Sequence, residues 1–215
     1  MRRCTSLLAA LAVVVALVAA PAAADVLYSQ LPVADNGALG SDFNRSNPQQ
    51  EADDFELPSP SYIHDVHWWG IYYNQDEPEA DDFTIRFFNP NASGLPEVSP
   101  FVSVAPVGLT RTLTAMTALG DPVYFYEADL PSDVLASAGA AYFLSIVNAT
   151  QSGEWSWVAD GDGTHYYRTG EGQAWSTSSI DTDHAFELTG TIIPEPATIA
   201  LVGLGILGLA RRRRK

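Results

Sequence analysis

Six aspartates are the first residues whose type and spacing suit chemistry. Asp53-Asp54 and Asp81-Asp82 sit in two copies of the same pentapeptide, Glu51-Ala52-Asp53-Asp54-Phe55 and Glu79-Ala80-Asp81-Asp82-Phe83. Asp160 and Asp162 alternate with glycine in Asp160-Gly161-Asp162-Gly163. A calcium ion takes six to eight oxygens, which loop carboxylates and backbone carbonyls supply together. The glycine-spaced pair resembles the start of a calcium loop, but it lacks the third acid and the closing glutamate of an EF-hand. Two readings stand: a structural Ca2+ held by some of these six acids, or solvated carboxylates that shape turns.

Aromatic residues form the second candidate. Trp155 and Trp157 are two apart, so on a strand they share one face. Together with Tyr166, Tyr167 and Trp175 they have the composition of a carbohydrate-binding platform, on which sugar rings stack. The competing reading places these rings in a sandwich core, where large aromatics bury the most surface.

Catalytic chemistry finds no foothold, and no catalytic residue is assigned. His64 and His67 are three apart on an expected strand, hence on opposite faces. His165 and His184 have no recognisable ligand spacing. No His-Glu-x-x-His, no Gly-x-Ser-x-Gly and no phosphate-cradling glycine loop occurs. The expectation is a protein that is not an enzyme. Cys4 is the sole cysteine, which excludes intrachain disulfides, four-cysteine zinc sites and thiol catalysis in the body.

These residues need elements to position them. Across 215 residues the formal net charge is −15, but its distribution is uneven. Between Asp25 and Ile193 stand four arginines against 25 acids, a net charge of −21. Such a surface does not neutralise phosphates, so nucleic acid is excluded as a partner, and anionic lipid with it. Short alternating or aromatic runs recur through this body, separated by breakers such as Asn89-Pro90-Asn91 and Gly120-Asp121-Pro122. Strands are expected near 26–31, 52–57, 62–73, 82–89, 101–104, 111–117, 122–128, 142–148, 155–159, 165–168, 173–176 and 185–191. One short helical turn is expected over Leu130–Ala138, with Ser132 as its cap. This is an all-β domain over 25–190, an antiparallel sandwich or jelly roll. In each pentapeptide copy the acid pair is expected to end a loop, with Phe55 or Phe83 opening the buried alternation.

The two ends read as addresses. Residues 1–24 have the order of a signal peptide: Arg2-Arg3, an apolar stretch Leu7–Val18, then Ala22-Ala23-Ala24 before the expected cut. Residues 191–215 contain Pro194-Glu195-Pro196, the uncharged apolar run Ala197–Ala210, and Arg211-Arg212-Arg213-Arg214-Lys215. Fourteen apolar residues are short of the ~20 that a spanning helix uses. The basic cluster holds that end in the cytoplasm. The physical reading is an exported body with transient inner-membrane anchoring through a C-terminal helix.

Pro-Glu-Pro, apolar helix and arginine cluster, in that order at the end of the chain, resemble the PEP-CTERM sorting domain of Gram-negative bacteria. The resemblance implies signal peptidase and exosortase as processing partners, and delivery to the cell surface or extracellular matrix. It also implies an association with exopolysaccharide and biofilm. The body is similar to an uncharacterised β domain seen in secreted bacterial proteins with this tail. The residues carrying that likeness include Trp68-Trp69-Gly70, Thr84-Ile85-Arg86-Phe87-Phe88, Tyr142-Phe143-Leu144-Ser145-Ile146-Val147-Asn148 and Trp155-Ser156-Trp157. It brings no activity with it. The expected role is structural or adhesive. The alternatives are a carbohydrate-binding module and, third, a polysaccharide hydrolase.

Overall fold

The computed structural model describes residues 24–34, 37–45, 47–75, 80–150 and 153–194. The expected signal peptide up to Ala23 and the motif from Glu195 onward lie outside the described residues.

Two antiparallel sheets face each other. The first is built on β4 (Ser61–Tyr72). One edge of β4 pairs with β8 (Asp121–Ala136), which also pairs with β7 (Val107–Ala118). Its other edge pairs first with β13 (Phe186–Ile192) and then with β10 (Trp155–Val158). Outside these lie β1 (Asp25–Gln30) on β13 and β2 (Ala38–Gly40) on β10. The second sheet runs β12 (Ser176–Asp181), β11 (Thr164–Arg168), β3 (Gln50–Glu56), β9 (Ala141–Asn148), β5 (Phe83–Phe88) and β6 (Val102–Val104).

Alternation explains the packing. Phe83, Ile85 and Phe87 point from β5 into the space between the sheets, where Phe83 meets Trp68, Tyr126 and Trp155. The Trp68 and Tyr126 rings stack at 5.4 Å, and Phe83 meets both edge-on. Gly70 matters here: a Cβ on it would collide with the Trp155 indole, so the missing side chain lets that ring lie against β4. On the outer face of the second sheet, Ala52, Phe88, Phe143 and Trp175 form a separate small core.

Three expectations change. Leu130–Ala138 is not a helical turn: most of it is the end of β8, where Leu130, Val134 and Ala136 are buried and Pro131, Ser132 and Asp133 are exposed at a break in the alternation. Pro131 falls where the β4–β8 register shifts, a position that needs no ladder donor. The Gln173–Ser176 stretch is a strand only from Ser176, because Trp175 tucks back onto Phe88. The first pentapeptide copy does not end a loop but lies within β3, whereas the second leads into β5 as expected.

Candidate functional site

The expected aromatic platform divides among different places. Trp155 and Trp157 are fully buried between the sheets, and Trp157 donates from Nε1 to the Ala185 carbonyl at 2.9 Å. Trp175 is 4% exposed and donates from Nε1 to the Glu97 carbonyl. Tyr166 packs edge-on against Phe143 at 4.9 Å on the outer face of the second sheet. Tyr167, its neighbour on β11, turns the other way and lines an open cavity of ≈ 280 Å³ with His165. Three of the five rings therefore present no free face to solvent. The reason is packing: with no disulfide between its strands, the sandwich relies chiefly on its apolar core to hold the two sheets together.

The six aspartates also separate. Asp53 is buried on β3; its Oδ2 accepts from the His184 backbone N–H at 2.6 Å and its Oδ1 from the Asp54 N–H at 2.9 Å. Burial, then the nearby Asp183 charge, hold its carboxyl well above the usual range. Asp54 is exposed on the same strand, and burial of its carboxyl group raises it less. Asp81 lies elsewhere: it accepts from the Tyr72 hydroxyl, and Arg111 Nη1 is 3.3 Å away. Asp82 and Asp162 are exposed, and Asp160 is half-buried. Among the described residues, no group of three or more His, Cys, Asp or Glu side chains is arranged to hold a metal ion. A cation already sits beside Asp81 in the form of Arg111, and backbone donors occupy Asp53.

The most unusual polar grouping involves residues that sequence spacing does not connect. Glu51 from β3, His165 from β11 and His184 just before β13 converge in the interior. Glu51 Oε2 lies 3.5 Å from His184 Nε2 and 3.7 Å from His165 Nε2. All three side chains are essentially without solvent contact. Trp157 stacks on the His184 ring at 4.4 Å. His165 Nδ1 lies 3.0 Å from the Thr182 carbonyl, so that nitrogen is the donor and Nε2 carries the lone pair. Among the described residues, Glu51 Oε2 and both His184 ring nitrogens have no hydrogen-bond partner.

Burial sets the charge states. It lifts Glu51 from 4.5 to about 8, with Gln49 and His165 pulling weakly the other way. It depresses His184 from 6.5 to about 3. It also lowers His165, helped by the neighbouring His184. At neutral pH the trio is thus a protonated acid beside two neutral imidazoles. Such a group withholds charge from the interior, as expected where unpaired ions are costly. The only sequence signal for it is that Glu51 stands next to alternating buried positions of β3; the histidines meet it through the topology alone.

Of the sorting residues, Pro194 is described and exposed; Glu195, Pro196, Arg211, Arg212, Arg213 and Arg214 lie outside the described residues. β13 ends at Ile192, and the Ile193 N–H still donates to the Pro60 carbonyl at 2.8 Å. The fold therefore holds the chain up to the residue before Pro194.

Residues 26–189 match the family model described as Domain of unknown function (DUF7901). Residues 193–215 match the PEP-CTERM protein-sorting motif. No curated protein matches the chain. One solved structure, titled "AvmM Catalyzes Macrocyclization in Alchivemycin A Biosynthesis", is similar over 78% of this chain and 91% of that one. The identity is 8% and the TM-score 0.29, which carries no argument about function.

Proposed function

The chain belongs to the DUF7901 family and carries a PEP-CTERM protein-sorting motif over residues 193–215; from that premise we propose a non-catalytic structural or adhesive protein of the extracellular polymer layer. The motif marks the chain for export and for sorting by an exosortase to the surface of a Gram-negative bacterium. The observation that carries the proposal is the junction between body and motif. The last strand is hydrogen-bonded to its end, and the motif starts at the next residue, so processing there releases a complete sandwich.

The described ends support the same reading. Asp25 of β1 pairs with Gly190 of β13, so the first described strand begins where the last one finishes. Both sequence addresses thus leave from one end of the sandwich. The histidines are committed to the fold: His64 contacts Asp133 and Thr191, His67 contacts Glu187, and the remaining two are buried with Glu51. The charge of −21 between Asp25 and Ile193 favours solubility outside the cell and association with polymers through divalent cations.

Fractionation of producing cells tests the reading. Comparing cells with and without their exosortase, the protein is expected in the surface and polymer fractions only when exosortase is present. Equal delivery in both would overturn it.

A further inference from the structure

The sandwich holds four arginines between Asp25 and Ile193, and two of them are buried on the outer face of the second sheet: the Arg168 guanidinium lies 5.4 Å from the ring centre of Phe88, two residues along β5 from Arg86. Arg86 is on β5 and Arg168 ends β11; they are 5% and 1% exposed. Arg168 is fixed from three sides. Its Nε donates to Gln50 Oε1 at 2.7 Å, its Nη1 donates to the Val98 carbonyl at 2.7 Å, and its plane lies 4.5 Å from the Trp175 ring centre. Arg86 stands 5.7 Å from the Phe43 ring centre. Its Nη2 contacts Glu171 Oε1 at a long 3.3 Å.

The donors are far from satisfied. Among the described residues, Arg86 Nε and Nη1, and Arg168 Nη2, are buried without a hydrogen-bond partner. Leaving a buried charged donor unpaired is costly, and structures keep such groups where something else completes them. Burial and the neighbouring Arg86 charge push Arg168 down to about 10, and burial lowers Arg86 as well. Two like charges are thus held near each other, and among the described residues Glu171 is the acid that offsets both. Glu171 is a loose partner: its side chain is 60% exposed, and it sits between Gly170 and Gly172 in a turn where Gly172 has a φ of +75°. Such a turn swings without side-chain hindrance.

We propose that Arg86 and Arg168 form a binding site for an oxyanion, the carboxylate of an acidic sugar or a sulfate group, with the Glu171 carboxylate as its internal stand-in. The ligand displaces Glu171 outward and accepts from Arg86 Nη2 in its place and from the unpartnered Nε on the same edge of that guanidinium, with the Arg168 charge adding to the attraction. Guanidinium groups suit this task because their planar fork matches a carboxylate or sulfate edge. The aromatic walls of Phe43, Phe88 and Trp175 keep the fork rigid and exclude water, which strengthens the contact. The site holds regardless of how the chain is sorted.

Calorimetric titration of the full chain tests this, with glucuronate, inorganic sulfate and neutral glucose at matched ionic strength set by chloride. Saturable binding of glucuronate, sulfate or both, with none of glucose, is expected. Glucuronate alone would identify a sugar acid, and sulfate alone an inorganic or ester sulfate. Glu171→Gln removes the competitor at an exposed position that the fold tolerates, and is expected to tighten binding about tenfold. Arg86→Lys is expected to weaken it by a similar factor, because an ammonium offers no fork. No saturable binding by either the wild type or E171Q would overturn the proposal. So would binding that neither substitution alters.

Discussion

Glu51 Oε2 and His184 Nε2 face each other across 3.5 Å in the interior, and at neutral pH neither carries a charge. That relationship ties the stability of the sandwich to pH in two opposite senses. The Glu51 carboxyl is raised in the fold to about 8, so its contribution is full below about 4.5 and is lost as pH rises through 8. His184 is depressed to about 3, so the unfolded chain takes a proton that the fold refuses, and stability is lost as pH falls from 6.5 toward 3.

Between 4.5 and 6.5 the two effects oppose, and above 6.5 the Glu51 effect stands without opposition from His184. Asp53, raised by burial and Asp183, acts in the same direction as Glu51. The melting midpoint is therefore expected to fall from pH 6.5 to 8, with Glu51 alone removing about 1.4 kcal/mol per pH unit. Glu51→Gln keeps the shape and removes the proton, so its midpoint is expected to fall less steeply. An identical slope in the variant would refute the assignment.

Trp157 is expected to behave as a core residue. It is fully buried, stacks on His184 and donates to the Ala185 carbonyl. Trp157→Ala should cost about 3–5 kcal/mol in urea unfolding, the range for deleting a buried aromatic ring. A cost below ~1 kcal/mol would mean that the ring is not seated between the sheets.

Calcium removal should leave the fold unmoved. Asp53 is engaged by two backbone N–H groups, and Asp81 by Tyr72 and Arg111. A bound ion would stabilise the native state by mass action. Melting midpoints with calcium and with EGTA are expected to coincide, and a shift of several degrees would place an ion among these carboxylates.

Gly190 sits where β13 changes register against β4, and a Cβ there would overlap the Tyr62 carbonyl and the Leu27 side chain. Gly190→Ala is expected to destabilise the protein by about 1–3 kcal/mol, as overpacking does. Hydrogen exchange along β1 and β13 should rise with it; unchanged protection there would show that the strand absorbs the methyl group.

Legibility in the sequence followed period and range. β5 was readable because Phe83, Ile85 and Phe87 alternate cleanly with Thr84, Arg86 and Phe88. β2 was not: Ala38–Gly40 is three residues long and takes its strand form from pairing with β10. The end of β8 resembled a helical turn because its register shift interrupts the alternation around Pro131. For the sites the limit was distance along the chain. Composition shows the tryptophans and acids but not which face of which sheet covers them. Glu51, His165 and His184 meet only after β3, β11 and the approach to β13 are brought together, and the same is true of Arg86 and Arg168.

Mass spectrometry of the exported protein tests the central claim most directly. Exosortase processing predicts a C-terminal peptide that ends near Pro194-Glu195-Pro196, just beyond the last anchored residue, Ile193, and lacks Arg211–Lys215. Recovery of the surface protein with Arg211–Lys215 still attached would contradict it.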